Sequence, residues 1–276
     1  MENLRVCFIG TGSMGSAVLR GLLAAGHPAA LISATTRSTA SAAELRALGV
    51  SAMALQEAAD ANALMAGDAD LIVLGVKPYQ IVEVLTELKG EIGRQAVVIS
   101  MAAGISLETM ASVLPENPNL IRSMPNTPAL VAKGVTGIAA GSVCSKEALI
   151  AAGELFASVG AVLEVEESMI NPLSAISGSG PAWIYYFIEQ WEAIAIEKGF
   201  TKEQAEIMVR GTFDGAIELL ASGEAEPSEL RRNVTSPGGT TAKIIETFDS
   251  ADLKSIFEAG LQAAVMRAEE IASSTQ

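Results

Sequence analysis

A glycine-rich turn near the start of the chain constrains the fold more than any other stretch. Residues 5–9 are a short β-branched and aromatic run, and this run leads into Gly10-x-Gly12-x-x-Gly15. The spacing of apolar residues then becomes that of a helix, so the segment predicts a strand, a tight turn and a helix. In that context Gly10 permits the reversal, Gly12 lets a pyrophosphate approach the backbone, and Gly15 brings the helix close to the strand. Because N–H groups at a helix start favour an anion, the turn predicts a dinucleotide-binding domain.

The length of 276 residues predicts two domains, because it exceeds one ordinary core. We expect an α/β domain over 1–166, with a doubly wound sheet of the Rossmann type, and an all-helical domain for dimerisation and substrate binding over 167–276. Further apolar runs predict strands covered on both faces at 29–34, 70–76, 96–101, 119–124 and 134–139. Strand signals stop at about Glu166. The helices beyond it are apolar on more than one face, which predicts a homodimer that shares them.

Charge and cysteine content exclude several classes of protein. The formal net charge of −14 argues against a nucleic-acid partner, which needs clustered Lys and Arg. Cys7 and Cys144 belong to no paired or metal-binding motif, so we expect reduced thiols, a cytoplasmic location and no metal site. The apolar stretch over 181–196 is interrupted by acidic residues, and no signal-peptide layout precedes the first strand. We therefore expect no membrane partner.

The end of the second predicted strand bears on cofactor choice. A cofactor without a 2′-phosphate is usually held there by Asp or Glu. This chain has Thr35, Thr36 and Arg37 instead, and hydroxyls with a guanidinium suit a phosphate dianion. The segment therefore favours NADP(H) over NAD(H), although NAD(H) is still compatible and Arg37 could be an ordinary solvated residue.

A second chemically suggestive stretch covers 233–243, where a Ser-Pro-Gly-Gly turn leads into a predicted helix. Such a turn exposes several N–H groups with hydroxyls beside them, and this arrangement suits a small carboxylate. Thr241 is placed to hydrogen-bond a group next to that carboxylate. The alternative is a capped loop between two helices.

These motifs, in this order, resemble the pyrroline-5-carboxylate reductase family over essentially the whole chain. The segments that carry the resemblance are Phe-Ile-Gly-x-Gly-x-Met-Gly at 8–15, Val-Lys-Pro at 76–78, Ser-Met-Ala-Ala-Gly at 100–104, Met-Pro-Asn-Thr-Pro at 124–128, Ser-Gly-Ser-Gly-Pro-Ala at 177–182 and Asn-Val-Thr-Ser-Pro-Gly-Gly-Thr-Thr at 233–241. The last two are highly specific.

The resemblance implies hydride transfer from NAD(P)H to the imine carbon of 1-pyrroline-5-carboxylate, which gives L-proline in the last step of proline biosynthesis. It assigns cofactor binding to Gly10, Thr11, Gly12, Ser13, Met14 and Gly15 at the pyrophosphate, to Thr35, Thr36, Arg37 and Asn62 on the adenosine side, to Val76, Lys77, Pro78, Met101, Ala102 and Ala103 at the ribose and nicotinamide, and to Asn233. It assigns substrate binding to Ser236, Gly239, Thr240 and Thr241, with Thr241 as the catalytic hydroxyl. It further implies a homodimer through the helical domain, which can assemble into a larger ring such as a decamer.

The residues suit this chemistry. A protonated ring imine accepts hydride without a strong enzyme acid, so the enzyme mainly holds the reactants together in a cleft that the glycine turn and the Ser-Pro-Gly-Gly turn would share. A hydroxyacid dehydrogenase is the first alternative, but His27 is expected away from the cleft and Ile184 stands where related dehydrogenases have a catalytic lysine. Lys77 keeps that alternative open. The second alternative is a nucleotide-sensing regulator without turnover.

Overall fold

The computed structural model describes residues 1 and 3–274 of the chain. The chain divides into two compact units, one of Met1–Ser179 together with the chain from Ala264 onward, and one of Gly180–Ala263. The contacts thus group the segment up to Ser179 with the sheet, and the domain boundary expected at 166/167 stays a prediction.

An eight-stranded sheet forms the centre of the first unit. Its strands are β1 (Val6–Ile9), β2 (Ile32–Thr36), β3 (Ser51–Ala54), β4 (Leu71–Leu74), β5 (Val97–Ser100), β6 (Leu120–Met124), β7 (Gly134–Ala140) and β8 (Gly160–Glu164). They lie in the order β3-β2-β1-β4-β5-β6-β7-β8. The first six are parallel, β7 is antiparallel to β6, and β8 is parallel to β7. The order 3-2-1-4-5-6 is that of a doubly wound dinucleotide-binding sheet, so the predicted fold class is confirmed.

Helices cover both faces of the sheet. In the first unit they are α1 (Ser13–Ala24), α2 (Thr39–Arg46), α3 (Ala61–Ala66), α4 (Ile81–Leu88), α5 (Leu107–Val113), α6 (Lys146–Ala157) and α7 (Ile170–Leu173). One buried apolar cluster includes side chains of α1 and α6, and the other includes side chains of α4 and α5. Strands β1, β4 and β5 are buried along their whole length, because both clusters pack against them.

Three features of the sheet differ from the sequence-based expectation. The predicted second strand at 29–34 begins later, since Ala29–Leu31 forms a 3₁₀ turn and the strand runs through Ile32–Thr36. Strands β3 and β8 were not predicted, because each is short and partly exposed and so lacks a continuous apolar run. The antiparallel direction of β7 was also not predicted, since apolar content does not encode strand direction.

The second unit is helical and poorly buried. It contains α8 (Gly180–Glu197), α9 (Lys202–Ala221), α10 (Pro227–Asn233) and α11 (Thr240–Ser250), while α12 (Leu253–Ser274) begins in it. Within α8 to α11 the buried residues are Pro181, Ala205 and Val209. Trp183 stacks on Phe257 with ring centroids 6.0 Å apart. None of the helices in the described part of the chain is long and apolar enough to cross a membrane.

Candidate active site

The glycine turn lies at the carboxyl end of β1 and has the geometry predicted for it. Gly10 has a φ of +77°, and a Cβ there would overlap the Val76 side chain, so this position requires glycine. Around Gly12, in contrast, a Cβ would meet nothing within 4 Å. No side chain caps α1, and its first turn contains no acidic residue. The turn therefore offers open space and N–H groups to an anion, which fits the pyrophosphate of a dinucleotide.

Thr35 holds this turn from the neighbouring strand. Its hydroxyl accepts a hydrogen bond from the Gly10 N–H at 3.0 Å and donates to the Asn62 Oδ1 at 2.9 Å. Its carbonyl accepts from both the N–H and the hydroxyl of Thr11, at 2.9 and 2.6 Å. Thr35 is only 1% exposed. The Thr35 hydroxyl, which the resemblance assigned to the cofactor, thus uses its one donor and one of its two acceptor sites to support the loop.

The other adenosine-side residues have different surroundings. Asn62 is buried, and its Nδ2 donates to the Glu87 carboxylate at 2.8 Å. Thr36 is buried too, and its hydroxyl donates to the Ser38 carbonyl at 2.8 Å. Arg37 follows β2 directly and is exposed. Among the described residues it forms no ion pair, so its guanidinium is available to a phosphate at this edge of the sheet.

The residues that follow β4 and β5 lie, like the glycine turn, along the edge of the sheet formed by the carboxyl ends of the parallel strands. Gly75 lies so close to β1 that a Cβ would come within 2.7 Å of the Gly10 carbonyl oxygen and 3.2 Å of the Met101 Cε. Beyond it Lys77 is exposed, whereas Val76 and Pro78 are half-buried. After β5, Met101 is half-buried, Ala102 is buried and Ala103 is exposed. The structure thus brings the predicted pyrophosphate and nicotinamide residues to one edge.

Sequence reasoning missed a buried charged group beside this edge. Arg122 on β6 is 6% exposed, donates to the Asn171 Oδ1 at 2.8 Å, and lies 3.5 Å from the Glu167 carboxylate. Glu167 in turn accepts from the Leu107 N–H at 2.7 Å. Burial lowers the pKa of Arg122, and the charge of Glu167 opposes that shift. An arginine inside an apolar strand was the available signal.

The Ser-Pro-Gly-Gly turn of the second unit connects α10 to α11. Gly238 has a φ of +73°, and the Gly239 N–H donates to the Ser236 carbonyl at 3.0 Å. Gly239 precedes α11, whose start has no side-chain cap. A Cβ at Gly239 would overlap the Ser236 hydroxyl, so glycine brings that hydroxyl to the helix start.

Three hydroxyls of this turn, those of Ser236, Thr240 and Thr241, are unoccupied, whereas the hydroxyl of the preceding Thr235 donates to the Arg231 carbonyl at 2.6 Å. Ser236 and Thr240 are exposed, Thr241 is half-buried, and Asn233 at the end of α10 is exposed. The structure shows no hydrogen bond of these four side chains to any described residue. N–H groups and free hydroxyls therefore converge on one small polar site, which suits a carboxylate. In the described part of the chain, no group of three His, Cys, Asp or Glu side chains is placed to hold a metal ion.

The fold and the glycine-turn edge define a nicotinamide-dinucleotide-dependent oxidoreductase with a separate helical unit. Two family models agree with this class: residues 5–104 match "NADP oxidoreductase coenzyme F420-dependent", and residues 167–271 match "Pyrroline-5-carboxylate reductase dimerisation". A pyrroline-5-carboxylate reductase of Vibrio alginolyticus is 40% identical over 274 residues, which cover 98% of each chain. One of Pseudomonas aeruginosa is 35% identical over 273 residues, covering 99% of this chain and 98% of the relative.

Solved structures give the same result. A pyrroline-5-carboxylate reductase of Coxiella burnetii has a TM-score of 0.90 at 36% identity and covers 98% of both chains. The Plasmodium falciparum enzyme, solved with NADP bound, has a TM-score of 0.85 at 26% identity and covers 99% of both. The chain belongs to the pyrroline-5-carboxylate reductase family, so the resemblance inferred from its motifs is confirmed.

Proposed function

We propose that this chain reduces 1-pyrroline-5-carboxylate to L-proline with a hydride from NADPH, which it prefers to NADH. Membership of the family supports the reaction. The Ser236–Thr241 turn is the observation that links the reaction to particular residues, because an uncapped helix start lies there beside three free hydroxyls. A nucleotide sensor without turnover would have no use for such a site.

The proposed cofactor site is the edge formed by the glycine turn and the ends of β2, β4 and β5. The open space at Gly12 and the uncapped start of α1 would hold the pyrophosphate. Arg37 would pair with the 2′-phosphate, because it is the exposed cation next to the end of β2. Val76, Lys77, Met101 and Ala103 would border the ribose and nicotinamide. When bound, the nicotinamide supplies the hydride.

The proposed substrate site is the turn before α11. The N–H groups at the helix start and the Ser236 hydroxyl would bind the substrate carboxylate. The Thr241 hydroxyl oxygen would accept a hydrogen bond from the N–H of the protonated ring nitrogen, and so hold the ring in place as hydride reaches the adjacent carbon. These groups orient the ring rather than supply a strong acid, since the imine is readily protonated near neutral pH. The chain's own contribution is therefore orientation and exclusion of water.

Variants of Thr241 test the assignment. We expect Thr241→Val to lower kcat by about tenfold to a hundredfold, because a hydrogen bond lost at the reacting nitrogen is worth roughly 1.5–3 kcal/mol. The Kd of NADPH should stay within about twofold. Thr247→Val is the matched control: it lies on the same helix, and its hydroxyl only donates to the Lys243 carbonyl at 2.8 Å.

The assay is NADPH oxidation with 1-pyrroline-5-carboxylate, run beside oxidation of a 3-hydroxyisobutyrate-like alcohol. Wild-type activity on the imine alone would support the proposal. An unchanged turnover number in Thr241→Val would remove that hydroxyl from the mechanism. Activity on the alcohol but not on the imine would identify a hydroxyacid dehydrogenase.

We further propose a homodimer formed through the helical unit, with a decamer as a possible higher assembly. Large apolar side chains on α8 support it: Ile184 is 48% exposed, Tyr186 60% and Ile194 50%. Faces of this kind are normally covered by a second copy. Sedimentation analysis gives the number of copies, and Tyr186→Glu should shift it toward a monomer. A cytoplasmic location, expected from the unpaired thiols, remains part of the proposal.

A further inference from the structure

The segment between α7 and α8 forms a single π-helical turn over Ser174–Gly178. The Ser179 N–H donates to the Ser174 carbonyl at 2.9 Å, a spacing of five residues in place of four. Such turns are rare and occur frequently at functional sites. This one contains the start of the specific Ser-Gly-Ser-Gly-Pro-Ala motif, whose role neither the cofactor residues nor the substrate residues account for.

The Ser177 carbonyl of this turn accepts a hydrogen bond from a side chain outside the turn. In a regular α-helix the Ser177 carbonyl would accept from the N–H of residue 181, but Pro181 has no N–H. The Asn126 Nδ2 donates to that carbonyl instead, at 2.9 Å. The other half of the same amide is also used, since the Asn126 Oδ1 accepts from the Val135 N–H at 2.8 Å. Asn126 is 7% exposed.

The turn lies at the edge that carries the proposed nicotinamide residues. Asn126 follows β6 by two residues, and a Cβ on Gly178 would come within 3.4 Å of the Met124 Cε. The neighbouring Ser123 hydroxyl donates at 3.0 Å to the Ser100 carbonyl, which immediately precedes Met101. Ligands of doubly wound sheets lie outside the carboxyl ends of the strands. The π turn therefore adjoins the edge at its nicotinamide end.

From this geometry we infer that Asn126 is a positioning residue for hydride transfer: it supplies the hydrogen bond that Pro181 cannot, and so fixes the π turn beside the nicotinamide end of the cofactor site. The inference rests on the proposed reductase function. Asn126 does not touch the reacting atoms, so its loss should reduce the fraction of bound complexes with reactive geometry. The effect should fall on kcat rather than on cofactor affinity.

Asn126→Asp is the direct test, because it keeps the shape and the acceptor but removes the donor. Asn117→Asp is a closely matched control. Asn117 is 8% exposed, its Nδ2 donates to the Ala96 carbonyl at 2.9 Å, and its Oδ1 accepts from the Asn119 N–H at 2.9 Å. This amide lies at the opposite, amino end of the strands, so the two variants lose equivalent bonds at different ends of the sheet.

The readouts are kcat with 1-pyrroline-5-carboxylate, the Kd of NADPH by titration, and Tm. We expect both variants to lose Tm comparably. Asn126→Asp should lower kcat by about tenfold or more while the Kd of NADPH changes less than about twofold, and Asn117→Asp should keep kcat within about twofold. A kcat within about twofold of wild type in Asn126→Asp, or an equal kcat loss in Asn117→Asp, would overturn the inference. Failure of the proposed function is distinguishable, since the wild type itself would then be inactive.

Pro181→Ala provides an independent check, because it restores an N–H four residues after Ser177. We expect the double variant N126D/P181A to recover kcat by about threefold or more over Asn126→Asp, a non-additive effect of two sites that share one carbonyl. If Asn126→Asp alone does not fold, a folded and active double variant supports the inference. A double variant that is no better than the single one, in folding or in kcat, counts against it.

Discussion

Replacing Thr35 by valine should weaken the binding of NADPH and of NADH by the same factor. Valine keeps the shape of the buried side chain but removes the acceptor for the Gly10 N–H and the donor to Asn62. Each buried polar group left without a partner costs about 1–3 kcal/mol, so the free energy of unfolding should fall by about 2–4 kcal/mol. The two bonds from Thr11 to the Thr35 carbonyl remain. The fold should therefore survive with a loosened turn.

The loosened turn must be ordered again when a dinucleotide binds. Fixing the backbone of one residue costs about 1–2 kcal/mol, which corresponds to a Kd about tenfold higher. Because the pyrophosphate is common to NADPH and NADH, we expect the same factor for both. A direct contact of the Thr35 hydroxyl with the 2′-phosphate, as the family resemblance implied, would instead raise the Kd of NADPH alone.

Calorimetric titration with each cofactor, together with urea unfolding, measures these quantities. Ser33→Ala is the control, since Ser33 lies two residues earlier on β2. Its hydroxyl donates at 3.0 Å to the Met65 carbonyl on α3, the helix that also carries Asn62. It should cost about 1 kcal/mol of stability and leave both Kd values within about twofold. Unchanged Kd values in Thr35→Val would refute the idea that the Thr35 hydroxyl holds the glycine turn in its binding conformation. A raised Kd for NADPH alone would instead favour a direct contact of the hydroxyl with the 2′-phosphate.

Three further predictions concern the rest of the sheet unit. Gly160→Ala should lower the free energy of unfolding by about 3 kcal/mol or more in urea titrations, because its φ is +147° and a Cβ would overlap the Gly134 carbonyl; near-native stability would contradict this. Burial lowers the pKa of His27, so on acidification the unfolded chain binds a proton at a higher pH than the folded chain does. The free energy of unfolding should therefore fall as the pH drops below about 6.5, with a slope of at most about 1.4 kcal/mol per pH unit. His27→Asn should abolish this slope. Burial raises the pKa of Cys7 to about 12, so native protein treated with iodoacetamide should be alkylated at Cys144 first, and rapid labelling of Cys7 would show that β1 opens.

The sequence predicted the parts of the structure that depend on local pattern. Gly10 to Gly15, the apolar strands β4 and β5, and helix α9 follow from residue type and period alone, and the family and enzyme class were confirmed. Strand β8 was missed because its side chains are mostly exposed, and the reversal of β7 is set by long-range pairing with β6. Both depend on contacts that no local period encodes.

The candidate site shows the same division. The motifs located Thr35 and Asn126, but their hydrogen bonds join residues 25 and 51 positions apart in the chain. Residue type cannot show whether a threonine hydroxyl is free for a ligand or already used by the backbone. The proposed roles of Ser236 and Thr241 therefore rest on the structure's evidence that their hydroxyls are unoccupied, combined with the family resemblance.

The scarcity of buried side chains in α8 to α11 has a consequence for how this enzyme loses its structure. Helices with three buried residues between them have almost no core to retain once partner copies separate. Dilution should then act as a denaturant, so the melting temperature should rise with protein concentration. The sheet unit, with its two internal apolar clusters, should melt at a temperature that dilution changes far less.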